Sequence, residues 1–195
     1  MAESWDDYAE TWDTDDAVNL YSEKAFQSLN EVIDISGLRV LDFGCGTGLL
    51  SEKLAPEVDS IVAIDPSVKM VSVLESKNID NIHTIASELT PDLAEQDELF
   101  APKFDLIVAS SVMAFVDDYS ATLRLLKTLL RPGGSLVHWD WLKMDDDSSF
   151  GFSAEEVSEA FNSSGFSDVS VTLPFVLESK GESMKVVMGV GKNSG

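Results

Sequence analysis

The run Val40-Leu41-Asp42-Phe43-Gly44-Cys45-Gly46-Thr47-Gly48-Leu49-Leu50-Ser51 constrains this chain more than any other part of it. An apolar strand meets an acid, then glycines at alternate positions, then the start of a helix. Glycines so spaced let the backbone turn sharply and approach a ligand with no side chain in the way. The helix that follows offers unpaired backbone N–H groups at the same place. The pattern asks for a strand-turn-helix unit of an open α/β sheet, with a nucleotide-like ligand at the strand's carboxyl end.

What the run lacks narrows that ligand. A dinucleotide fingerprint reads G-x-G-x-x-G and seats pyrophosphate on the helix N-terminus. Counting from Gly44, Leu49 stands where the third glycine belongs. No Lys or Arg lies between Val40 and Ser51, and no Gly-Lys-Ser/Thr follows, so the P-loop pattern also fails. Asp42 places a negative charge beside the turn, which repels phosphate and attracts a cation. A ligand with an amino group and no phosphate fits best. Downstream, Ser60-Ile61-Val62-Ala63-Ile64-Asp65 is a short buried-strand run ending in an acid. An acid about 20 residues past the glycine turn is where a ribose diol is gripped, in NAD enzymes and others alike.

Together these features resemble motif I of the class I S-adenosylmethionine-dependent methyltransferases, an acid followed by G-x-G-x-G. The resemblance implies S-adenosylmethionine as cofactor and S-adenosylhomocysteine as product. Gly44, Cys45, Gly46 and Gly48 would line the methionine moiety, with Asp42 near its amino group. Asp65 and Pro66 would meet the ribose, and Met70 matches the family position that packs on adenine. In the turn after Ile82–Ile85, Glu88 replaces the family's Asp opposite the adenine amino group, and Ser87 is the alternative. Phe104 to Ser111 resembles motif IV, which places Ser110 and Ser111 toward cofactor and substrate. The N-P-P-Y tetrad of amino-methylating nucleic-acid enzymes is absent. Leu130-Arg131-Pro132-Gly133-Gly134 matches the loop before strand five. The resemblance covers Leu38 to Lys192, weakly after Asp140.

Alternating strand and helix patterns from Leu38 to Trp139 predict a doubly wound, mostly parallel sheet. Apolar residues from Ala121 to Leu130 recur at helical spacing, so that helix should pack on the sheet. Ser153-Ala154-Glu155-Glu156 reads as a capping box, opening a helix to Ser164 with Gly165 as its stop. Val169–Leu177 and Met184–Val190 read as strands joined around Lys180-Gly181-Glu182. By the family resemblance they complete a seven-stranded sheet with a C-terminal antiparallel hairpin. The chain is read as a helical extension, 1–36, followed by a cofactor-binding domain, 37–195.

At 195 residues and 44% hydrophobic content, that domain can bury a sizeable core. The charge of −22, from 35 acidic and 13 basic residues, repels nucleic acid and anionic membranes. The longest apolar stretch, Leu106 to Val116, is too short for a membrane span. No signal-peptide pattern opens the chain, and one cysteine supports no disulfide framework, so a cytoplasmic site is expected. Cys45, His83 and His138 lack metal-ligand spacing.

The expected partner is a small-molecule acceptor. Trp5, Tyr8 and Trp12 share one helix face in the extension, and Trp139 and Trp141 flank the end of strand five. Tyr8, Trp12, Trp139 and Trp141 are the candidate substrate contacts. Methyl transfer needs a base only if the acceptor must lose a proton, and His138 and Asp140 are the candidates. Two other readings remain at this point. One is a cofactor-binding protein without catalysis; the other is an NAD-linked oxidoreductase, which Leu49 and the acidic turn disfavour. The acceptor and the oligomeric state cannot be read from the residues.

Overall fold

The computed structural model describes residues 5–143, 150–179 and 182–195. Asp145-Asp146-Asp147 and the expected hairpin turn at Lys180 and Gly181 lie outside the described residues. The chain divides into two compact units, Met1–Pro102 and Lys103–Gly195. The first contains α1 (Trp5–Trp12), α2 (Asp16–Val32), β1 (Arg39–Phe43), α3 (Leu49–Leu54), β2 (Ser60–Asp65), α4 (Val68–Ser76), β3 (Ile82–Ala86) and α5 (Pro91–Gln96). The second contains β4 (Phe104–Ser110), α6 (Tyr119–Leu129), β5 (Leu130–Trp141), α7 (Ala154–Ser163), β6 (Ser167–Ser179) and β7 (Glu182–Lys192). The strands form a seven-stranded sheet in the order β3-β2-β1-β4-β5-β7-β6.

In the first unit β1 and β2 pair in parallel from Arg39↔Ser60 to Phe43↔Ile64, and β2 pairs with β3 up to Asp65↔Ala86. Val40, Leu41, Ile61, Val62 and Ala63 are fully enclosed. Such unbroken apolar runs suit strands covered on both faces. The helix starts are fixed locally. Asp15 accepts from the Ala17 and Val18 amides, Ser67 from Met70, and Thr90 from Leu93. Each bond satisfies a donor that the first helical turn would otherwise leave bare. Helix α1 packs on α4, and α2 on α3.

In the second unit β4 and β5 are parallel, whereas β7 runs antiparallel to both β5 and β6. The expected hairpin is present, with longer strands than the pattern suggested. Strand β5 also begins at Leu130 rather than Ser135. Phe104 pairs with Leu130 and Leu106 with Ser135, so Arg131 to Gly134 loop out inside the strand. Asn193 holds that excursion, accepting from Gly133 N at 2.6 Å and donating to Gly134 O at 2.8 Å. At α7 the capping box forms as expected, with Ser153 and Glu156 bonded reciprocally.

Helix α7 sits against β7 because two positions there lack side chains. A Cβ on Gly189 would lie 2.6 Å from Val157 Cγ1, and one on Gly191 would lie 2.6 Å from Phe161 Cδ1. Phe161 is fully buried and stacks on His138 with centroids 5.5 Å apart. Gly191→Ala is therefore expected to destabilise the protein by about 1–3 kcal/mol through overpacking. Thermal melts should show a drop of about 2–4 °C for each kcal/mol. An unchanged melting temperature would mean that α7 is free to retreat.

Candidate functional site

The β1–α3 turn is stitched to the end of β2. Gly44, Gly46 and Gly48 have φ of 72°, 53° and 79°, the left-handed region that glycine enters freely. The Gly44 and Cys45 amides donate to Ile64 O at 2.8 and 3.1 Å. Gly46 N donates to Asp65 Oδ2 at 2.9 Å, and Ser67 N donates to Asp65 Oδ1 at 2.8 Å. Asp65 thus joins the glycine turn to the start of α4. With about four lone-pair positions on a carboxylate, acceptor capacity remains for a diol. Burial raises the Asp65 pKa, the two backbone donors oppose that rise, and the nearby Asp6 charge adds to it.

Beneath the turn, Asp42 is enclosed and accepts from Ser51 Oγ at 2.6 Å. Burial pushes its pKa up to about 6; the Ser51 bond opposes this, and the charge on Asp65 adds to it. The Cys45 thiol is raised by burial and then by the charges of Asp42 and Asp65, which keeps it protonated. That protonation disfavours a nucleophilic role. Met70 is buried, and its amide donates to Ser67 Oγ at 3.2 Å. Pro66 is exposed. The Asp65↔Ala86 register brings Ser87 and Glu88 to the next positions along the same edge, with Glu88 exposed and Ser87 half-buried. Apart from Ser110, which lies in the second unit, the residues expected to bind cofactor converge on this corner.

Helix α1 and the turn after it add residues that the sequence reading did not single out. Asp6 accepts from Ser67 Oγ at 2.5 Å and from Lys69 N at 3.3 Å. Asp13 accepts from Thr47 Oγ1 at 2.5 Å and pairs with Lys77 Nζ at 2.8 Å. The Ser67 hydroxyl, then the Lys69 amide, hold the Asp6 carboxyl below its usual range. Trp5, Tyr8 and Trp12 form one cluster, with Trp5 edge-on to Trp12 at 5.8 Å and Tyr8 at 6.4 Å from Trp12. Tyr8 remains exposed and Trp12 half-buried.

In the second unit, Ser110 ends β4 in register with Trp139, and Ser111 follows with φ 55°. The candidate bases stand differently from the expectation. His138 is fully enclosed, with Nε2 2.9 Å from Tyr119 Oη and with no partner for Nδ1 among the described residues. Burial lowers its pKa to about 3, so it is a neutral packed histidine. Asp140 is also enclosed, with Oδ1 accepting from Trp141 N at 2.9 Å and Oδ2 from Ala114 N at 3.1 Å. Burial lifts it to about 6 against the pull of the Trp141, Ala114 and Met113 amides. It holds the turn after β4 to the end of β5. Neither side chain exposes surface to an acceptor, because β5 is covered on both faces. The same covering encloses Trp139 completely, which removes it from the candidate substrate contacts. Trp141 keeps partial exposure.

Two signals were out of reach of the sequence reading. Tyr119 is 19 residues from His138 and on another element. Asp6 and Asp13 sat in an acidic stretch with nothing to separate them from Asp7 or Asp15. Their partners Thr47, inside the glycine run, and Ser67, just after Asp65 and Pro66, lie in segments the sequence singles out.

Among known proteins, a methyltransferase-domain family model matches residues 16–171. An uncharacterized methyltransferase of Schizosaccharomyces pombe is 33% identical over 150 residues, covering 74% of this chain and 53% of that protein. A ubiquinone biosynthesis O-methyltransferase of Xanthomonas oryzae is 33% identical over 138 residues, covering 64% of this chain and 53% of that protein. The chain thus spans about half the length of these relatives. The solved DhpI-SAM-HEP complex has a TM-score of 0.73 at 18% identity, covering 96% of this chain and 94% of that chain, a likeness of fold. With the family model spanning most of its length, the chain belongs to the class I S-adenosylmethionine-dependent methyltransferase family.

Proposed function

We propose that the protein transfers a methyl group from S-adenosylmethionine to a small-molecule acceptor. The observation that carries this reading is the glycine turn bound to Asp65 over the buried Asp42. Its donor and acceptor set suits the cofactor. The turn has no cationic side chain for a phosphate, Asp65 keeps acceptor capacity for a ribose diol, and Asp42, enclosed beneath the turn, supplies negative charge for an amino group through its field rather than by contact. When bound, S-adenosylmethionine supplies a methyl group already activated by positively charged sulfur. The chain's own task is then to bind and orient. Alignment of two reactants accounts for up to roughly 7–11 kcal/mol of a barrier in favourable models. His138 and Asp140 are assigned no proton transfer, since both are sealed in the core. The relative named for ubiquinone biosynthesis and the charge of −22 both favour a small acceptor over nucleic acid.

Calorimetric titration with S-adenosylhomocysteine, beside NADH on the same batch, tests the reading. Micromolar binding of the former alone is expected, and binding of NADH alone would overturn it. The pH dependence carries a sign. A bound ammonium favours ionised Asp42, whose pKa in the free protein is raised to about 6. Below that value binding must expel a proton. Affinity is expected to fall by up to about tenfold per pH unit on going below 6, and to level off above 7. A flat profile between pH 5 and 7 would remove Asp42 from the recognition of the amino group.

A further inference from the structure

We propose that Asp6 and Asp13 are positioning residues of the S-adenosylmethionine site, acting through Ser67 and Thr47. The inference rests on the cofactor reading above and adds a role for α1 and the turn that follows it.

The four contacts share one centre. Thr47 follows Gly46, whose amide donates to one oxygen of Asp65. Ser67 stands two residues after Asp65 and donates its own amide to the other oxygen. Helix α1, through Asp6, and the turn that follows it, through Asp13, therefore grip by hydroxyls the two segments whose amides hold the ribose-binding carboxylate. Asp13 takes the Thr47 hydroxyl at 2.5 Å, and Asp6 takes the Ser67 hydroxyl at 2.5 Å. Hydroxyl-to-carboxylate bonds this short are charge-assisted and directional. Both hydroxyls are buried, and Ser67 Oγ also accepts the Met70 amide, so its single proton is free to point only at Asp6.

Packing alone does not account for the arrangement. Apolar packing of α1 on α4 is available through Ala9, its buried residue, without any carboxylate. The two aspartates instead add negative charge beside the segments that hold Asp65, whose pKa the Asp6 charge raises, in a chain that already carries −22. Repulsion between them disfavours that placement, and Lys77, 2.8 Å from Asp13, offsets part of it. What the placement achieves is a fixed spacing between the glycine turn and the start of α4. With that spacing fixed, the Asp65 carboxylate is held in one orientation before any ligand arrives. Preorganisation of this kind removes an ordering cost from binding.

The test is calorimetric and stopped-flow titration of S-adenosylhomocysteine into wild type, Asp6→Asn, Asp13→Asn and Thr47→Val. Each variant is expected to weaken binding about tenfold, mainly through faster release. Asp13→Asn, which weakens the Thr47 bond and removes the Lys77 pair, and Thr47→Val, which deletes the same bond, should add less than fully. Amide exchange supplies a readout without ligand: Gly46 and Ser67 should exchange faster in the variants while β1 and β2 keep their protection. A purely structural anchor would lower ligand-free melting temperature and leave the affinity of the folded protein unchanged, which would overturn the proposal. Failure of wild type to bind would overturn the cofactor reading and this inference with it. Tight wild-type binding matched by all three variants would overturn the inference alone.

Discussion

Alanine at Asp65 is expected to weaken S-adenosylhomocysteine binding by about 100-fold. Hydrogen bonds to a charged group contribute about 1.5–3 kcal/mol each, and 1.4 kcal/mol is a factor of ten in affinity. The substitution removes the proposed diol acceptor and, with it, the partner of the Gly46 and Ser67 amides. The turn and the start of α4 then lose their common anchor, so the loss exceeds that of a single ligand contact. Asp65→Asn keeps one acceptor oxygen and should fall between wild type and alanine. Calorimetry on proteins with matching circular dichroism would decide. A change under threefold for alanine would mean that the carboxylate serves the turn and not the ligand.

Valine at Gly48 is expected to cost about 4 kcal/mol of folding stability, by adding backbone strain to overpacking. Gly48 has φ 79°, and a Cβ there would lie 2.3 Å from Leu74 Cδ1. Leu74 is buried, so its side chain must change rotamer or α4 must shift to admit the new group. A non-glycine residue held in the left-handed region costs about 1–3 kcal/mol, and forced overpacking adds about 1–3 kcal/mol. Gly46→Val is the control, because φ is 53° there but no atom lies within 4 Å of the added Cβ. Urea unfolding of the two variants separates strain from clash. Equal midpoints would show that Leu74 and α4 move aside at little cost.

The fold was legible where residue type and chain order act together. Buried parallel strands announce themselves as apolar runs ending in acids, as at Asp42 and Asp65. Caps such as Ser153 with Glu156 show at a spacing of three. The cofactor corner was readable for the same reason, since glycine turn and acid are contiguous in their own strands. The far contacts were not. Asp13 meets Thr47 across 34 residues and Asp6 meets Ser67 across 61, with no periodicity linking them. The burial of β5 is not legible in its own residues, because the covering of both its faces comes from elements distant in sequence. His138 and Asp140, candidate bases, and Trp139, a candidate substrate contact, are all enclosed. The β5 start was missed because Gly133 and Gly134 look like a loop, and Asn193, which keeps them within the strand, is distant in sequence.

Strand β7 follows β6 in the chain, yet it lies between β5 and β6 in the sheet. During synthesis, β5 and β6 therefore emerge with facing edges that have no partner. Each must wait for Glu182–Lys192, the strand that pairs with both. Long-range pairing of this sort is slow, and unpaired edges in the interval invite pairing with other chains. The second unit is thus a late closer, vulnerable in the nascent polypeptide, whereas β1, β2 and β3 pair in the order in which they are made.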